Sequence, residues 1–218
     1  MYIPAQFRIE HLPQIHAAMR ATRLASLVTI GPEGLMATPL PMMLDPAEGK
    51  FGTLYAHVAR ANPQWRTASA GEGLAIFPGP DAYVSPSLYP SKQRDGRVVP
   101  TWNYVAVHAY GVPEFFEDAA PLLDVVRRLT ELHEGARAQP WAVSDAPATF
   151  IQSELKGIVG VRMGITRLEG KRKASQNRQP EDRAGVKAAL AASARPDDRA
   201  IAGMIPGDGD AEGGGIEP

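Results

Sequence analysis

The sequence predicts an antiparallel β-barrel with helices packed outside it, an α+β fold of mainly β character. Three observations carry that expectation. Short β-prone runs separated by glycine and proline turns fill the first half of the chain, the longest strand candidate (residues 99–112) has no plainly polar face, and the clearest helical periodicity comes late, behind Asp118. A doubly wound parallel sheet would place a helix after each strand, so this order favours antiparallel pairing.

Leu12, Ile15 and Met19 recur at helical spacing behind Pro13, which predicts a short amphipathic helix after an extended N-terminal arm. Residues 24–30, the turn Gly31-Pro32-Glu33-Gly34 and residues 35–44 read as a hairpin, and residues 45–49 turn the chain into a third strand over 51–58. Asn62 before Pro63 is a helix start: a capping side chain, then a residue with no amide donor to lose. That helix is brief, through about Ser69. Residues 73–77 and 82–85 read as a fourth strand broken or bent by Pro78-Gly79-Pro80, with Gly79 and Gly96 as turn residues.

Along 99–112, Trp102, Tyr104, Ala106, His108 and Tyr110 share one face, and Asn103, Val105, Val107 and Ala109 the other. A strand apolar on both sides lies between a barrel interior and a cover, either a helix or a second subunit. Leu122, Val125, Val126, Leu129 and Leu132 trace a helical stripe behind Asp118. Another helix opens at Asp145 and runs through Phe150, Ile151 and Leu155, and a last strand covers 158–168.

The 218 residues suit one domain, or one domain with an appendage. Basic and acidic residues nearly cancel, 23 against 24, so no whole-molecule field draws the chain to nucleic acid or an anionic membrane. The absence of cysteine excludes disulfides, thiolate metal sites and cysteine nucleophiles. Neither a signal-type N-terminus nor an apolar run of spanning length is present, which reads as a soluble cytoplasmic protein. No HExxH, ligand-spaced histidine pair, G-x-S-x-G or phosphate-loop glycine pattern occurs, so metal, hydrolase and nucleotidyl-transfer chemistries are set aside. Residues 171–187 are locally cationic, whereas the end of the chain is acidic and rich in glycine and proline. The expected division is therefore a barrel domain over 1–190 and a disordered or loosely held tail over 191–218, in which Ile201, Met204 and Ile205 can dock weakly.

Four blocks crowd polar and aromatic side chains beyond the needs of packing: HVARANPQW at residues 57–65, GPDAYVSPSLYPSK at 79–92, VVPTWNY at 98–104 with His108 after it, and GKRKASQNR at 170–178. As a set, in this order, they resemble the signature blocks of the FMN-binding negative transcriptional regulators, the PaiB-type family, and the likeness covers residues 1–190. It implies a six-stranded split β-barrel, FMN as cofactor, and a homodimer with the flavin in clefts between subunits. The chain departs from the family pattern at Pro39, where a histidine is usual, and at Leu88 and Arg172, where tryptophan is usual.

FMN requires cationic or amide donors for its phosphate, a flat apolar wall for its ring and hydrogen-bonding groups along the ring's polar edge. Arg60 and Asn62, at a strand-to-helix junction, are candidates for the phosphate, set against the plainer reading of Arg60 as a surface ion pair. Thr38, beside Pro39 in the second strand, joins them. His57 is either a flavin or substrate contact or a half-buried hydrogen bonder. Asn103 points away from Trp102 and Tyr104 and is the polar candidate of its strand. Lys171 and Lys173 on alternate residues, followed by Gln176 and Asn177, suit an anion, the alternative being a solvated basic loop. Two functions stay open. One is a flavin-binding negative regulator of transcription, with any DNA contact lacking a recognisable helix-turn-helix pattern. The other is an FMN-dependent oxidoreductase of the flavin reductase or pyridoxamine phosphate oxidase type.

Overall fold

The computed structural model describes residues 1–22, 24–68 and 71–207. The chain divides into two compact units. The first comprises Met1–Glu10, Pro78–Ala106 and Gly170–Pro218, the second His11–Phe77 and Val107–Glu169.

The second unit opens with α1, Leu12–Ala21, which carries proline in its first turn and buries Ile15, His16 and Met19. His16 lies inward because its Nε2 bonds the Phe51 carbonyl at 3.0 Å. Strands β2, Ala25–Gly31, and β3, Gly34–Leu40, pair antiparallel from Ala25↔Leu40 to Gly31↔Gly34. Gly34, at φ +104°, supplies the left-handed residue of that turn. The second limb of the hairpin ends at Leu40, short of the expected residue 44. Pro41 follows, and the chain resumes as β4, Met43–Asp45, in a different sheet. Pro39 is tolerated within β3 because β3 ends its sheet, where a missing ladder donor costs little.

A four-stranded antiparallel sheet follows, in the order β4, β5 (Thr53–Ala59), β9 (Ile158–Gly164), β8 (Pro113–Phe116). Leu54, Ala56 and Val58 on β5 and Val159, Val161 and Met163 on β9 are all buried, the alternation expected of one covered face. Helix α4, Ala119–Glu134, sets Val125 and Leu129 against Met43, Tyr55 and Phe116. Its stripe is narrower than the sequence suggests, since Leu132 is exposed. Helix α5 is Ala148–Leu155. It starts three residues later than expected because Asp145 closes a 3-10 turn instead, its carboxylate accepting from the Ala142 amide at 2.9 Å.

The larger sheet has the strand order β1-β10-β7-β6-β2-β3, with β6 at Gly73–Val84, β7 at Thr101–Gly111, β10 at Arg167–Lys173 and β1 at Arg8–Ile9. β6 runs unbroken through Pro78-Gly79-Pro80. The two prolines are two residues apart, so their missing donors face one flank, and Gly79 is needed for close approach: a Cβ there would meet the Val105 Cβ at 2.8 Å. The expected last strand, 158–168, is in fact two, β9 and β10, parted at residues 165–166.

Within the first unit, Arg8 pairs with Lys171 and Ile9 with Gly170. Helices α3, Lys92–Asp95, α6, Pro180–Ala191, and α7, Pro196–Met204, complete it. The loosely held tail expected from residue 191 is ordered at least to 207, since Ile201 and Ile205 are buried and the Lys187 ammonium donates to the Ile205 carbonyl at 3.2 Å. Residues 208–218, the remainder of that expectation, lie outside the described residues.

Candidate functional site

The sequence nominated nine residues for one site. Four of them, Thr38, His57, Arg60 and Asn62, fall in the second unit, and five, Asn103, Lys171, Lys173, Gln176 and Asn177, in the first.

In the second unit the nominated polar groups are largely bonded to protein. Asn62 Oδ1 accepts from the Gln64 amide at 2.9 Å while its Nδ2 donates to Thr38 Oγ1 at 3.0 Å. It thereby caps α2, Gln64–Thr67, with Pro63 already helical at φ −69° and ψ −15°. The Arg60 guanidinium donates to the Lys156 carbonyl at 2.5 Å, to the Ile158 carbonyl at 3.2 Å and to the Glu117 carboxylate. A phosphate at Arg60 would have to displace Glu117, so the surface ion pair weighed for this residue is the arrangement found. His57 is half-buried and registers with Gly160 across β5 and β9. Its Nδ1 is buried without a hydrogen-bond partner, and burial holds its pKa below the ordinary histidine value, favouring neutral imidazole.

The first unit differs. Lys171 is buried, its ammonium donating to the Tyr2 carbonyl at 3.2 Å and lying 5.8 Å and 5.0 Å from the Tyr2 and Tyr104 ring centroids. Lys173, two residues along β10, donates to Thr101 Oγ1. Arg178 lies 4.8 Å over the Tyr89 ring. Among the described residues none of these three cations has a carboxylate partner. The strain of that grouping shows at Lys173, whose pKa is held below the usual lysine value by burial first and then by the charges of Lys171 and Arg178.

Beneath them Asn103 is fully buried on β7 and donates to Ser175 Oγ at 2.9 Å. Its Oδ1 is buried with no hydrogen-bond partner, an acceptor waiting for a donor. Ser175 sits at φ 59°, the one positive-φ residue other than glycine among those described. Gln176 stabilises that turn: its Oε1 accepts from the Ala174 amide at 2.6 Å and its Nε2 donates to the Arg172 carbonyl at 2.5 Å. It therefore shapes the loop, while Asn177 is exposed. Trp102 and Tyr83 stand edge to face at 5.7 Å on the half-exposed side of the strands.

Three contributors lay outside the nominations. Thr101, Ser175 and Arg178 all carried a signal, since each lies inside one of the four polar-aromatic blocks, but nothing in a serine announces a left-handed backbone.

The set suits FMN. A phosphate dianion relieves three uncompensated cations, and the Asn103 oxygen can accept from a ribityl hydroxyl or a ring N–H. Among the described residues no helix is long and apolar enough to cross a membrane.

Comparison with known proteins agrees with this chemistry. A family model described as "Putative FMN-binding domain" matches residues 1–167. The "Protease synthase and sporulation protein PAI 2" of Bacillus subtilis (strain 168) is 32% identical over 206 residues, 94% of this chain and 96% of that protein. Among solved structures, the FAD and heme binding protein from Mycobacterium smegmatis superposes with a TM-score of 0.57 at 13% identity, over 76% of this chain and 73% of that one. The flavocytochrome Anf3 from Azotobacter vinelandii gives 0.55 at 16% identity, over 77% and 69%. At such identities the structural likenesses bear on the fold alone, and that fold is the antiparallel split-barrel class expected from the sequence.

Proposed function

The chain belongs to the "Putative FMN-binding domain" family, whose cofactor is FMN, and from that premise we propose that it is a homodimeric flavin-binding negative regulator of transcription whose flavin phosphate is held by Lys171, Lys173 and Arg178. The observation that carries the phosphate assignment is the grouping of three cations that, among the described residues, make no ion pair with a carboxylate, in a unit where Arg94 and Arg195 both make one.

Bound FMN would supply electron transfer at its ring. The protein's part is to hold and orient it. Lys171 and Lys173 each keep N–H donors beyond their single hydrogen bonds to protein, and Asn103 Oδ1 fixes one polar group of the cofactor by accepting its hydrogen. Tyr104 and Tyr2 flank the Lys171 ammonium and give the site an aromatic side. Asn177 adds an exposed amide at its edge. Thr38, His57, Arg60 and Asn62 hold the second unit together in this reading, with the His57 imidazole kept neutral.

The regulatory part rests on the likeness to a protein named for protease synthesis and sporulation and on the signature blocks. Added FMN should produce a saturable flavin spectrum change on a protein that sediments as a dimer. Salt-dependent, saturable binding to specific DNA by the holoprotein would support direct regulation. NAD(P)H oxidation without any DNA binding or transcriptional effect would overturn it in favour of an oxidoreductase.

A further inference from the structure

The second unit contains a cavity unrelated to any of the nominated residues. It measures about 240 Å³ and is walled by Met19 of α1, Met42 and Met43 at the start of β4, and Phe77 of β6. All four are buried, so the floor is an apolar surface, and three flexible thioethers allow it to adjust to a guest. The mouth differs sharply from the floor. It carries Arg20 from the last turn of α1 and His133 from the last turn of α4, and none of the lining residues is acidic. Among the described residues neither Arg20 nor His133 has a carboxylate partner, although most arginines of this unit have one.

An apolar floor under a rim that carries an unpaired arginine and an imidazole N–H donor is complementary to a molecule with an alkyl body and one anionic end. We infer that this cavity binds a free medium-chain carboxylate, its tail against Met19, Met42, Met43 and Phe77 and its carboxylate at Arg20 and His133. A methylene takes roughly the space of a water, about 30 Å³, so the volume sets an upper length of about eight carbons. The site is lined wholly by second-unit residues and shares none with the proposed phosphate cluster.

Isothermal titration of the full chain with octanoate, hexanoate, dodecanoate and octylamine tests the assignment. Octanoate should bind saturably, roughly tenfold or more tightly than hexanoate at about 0.8 kcal/mol per buried methylene, with no further gain for dodecanoate. Octylamine should not bind. Arg20→Gln, at an exposed position, should weaken octanoate about tenfold, and Leu132→Trp, which bulks the exposed rim, should weaken it further, while FMN titrations of both variants match the parent. Equal binding of octylamine and octanoate would overturn the inference. So would an unchanged octanoate affinity in Arg20→Gln, or no octanoate heat at millimolar concentration from a protein that still takes up FMN.

Discussion

Arg162 in the second unit and Lys173 in the first are both cations near the end of a strand, yet their surroundings are opposite. Arg162 donates to Glu48 at 2.5 Å and to Glu114 at 3.0 Å, and Tyr55 completes the group by donating to Glu48 at 2.6 Å. Those hydrogen bonds hold the Glu48 carboxyl below its usual pKa. The charge is consumed by the fold. Lys173 has a hydroxyl for a partner and two cations for neighbours, so folding alone leaves its charge unmet. A buried or half-buried charge costs free energy unless it is compensated, and a protein that keeps several together is poised for a ligand of opposite sign.

The comparison is tested most severely by removing the uncompensated charge. Lys173→Ala should lower FMN affinity about tenfold to a hundredfold, the range for hydrogen bonds to charged groups, without loss of stability in urea. Retained affinity with a lower midpoint would mean that Lys173 is structural. The next largest effect is on pH. Because the Lys173 pKa is depressed without ligand, FMN affinity should fall as pH rises through that lowered value and on toward the ordinary lysine value of about 10.4. In the same window the stability of the flavin-free protein should rise, since the unfolded chain there binds more protons than the folded one. Lys173→Arg, which stays charged, should flatten both trends in fluorescence titrations and urea melts.

Smaller effects belong to the compensated region. Arg60→Ala should cost about 1 kcal/mol of stability, discounted for partial solvent exposure, and leave FMN affinity within about twofold. A tenfold affinity loss at unchanged stability would return Arg60 to the phosphate. Asn62→Ala, which removes the α2 cap and the Thr38 bond, should cost about 1 kcal/mol and alter FMN binding least.

Periodicity and turn chemistry made most of the elements legible. Ile15 and Met19, the Gly31 to Gly34 turn and the Asn62 cap needed only local rules. What escaped was decided at a distance. The proline pair in β6 reads as a break until Val105 is seen to require Gly79, and the last strand reads as one until β9 and β10 are seen in different sheets. Helix α7 was hidden because its support, two buried isoleucines and Lys187, is sparse against a polar composition.

The site was legible as residue types but not as duties. Sequence ranks Arg60 and Lys173 alike as phosphate ligands, and only tertiary contact shows which one already has a carboxylate. Gln176 likewise reads as a ligand from its type, and its side-chain hydrogen bonds lie within its own turn. Asn103 was picked out by facing away from its aromatic neighbours, and its buried, unanswered oxygen gives that choice a physical basis.

The most direct measurement compares FMN with riboflavin, which lacks the phosphate, in the parent protein, Lys173→Ala and Arg60→Ala. We predict that the parent prefers FMN by at least about tenfold, that Lys173→Ala loses most of this preference through FMN alone, and that Arg60→Ala keeps it. A preference that survives in Lys173→Ala and vanishes in Arg60→Ala would contradict the placement of the phosphate on the uncompensated cations of the first unit.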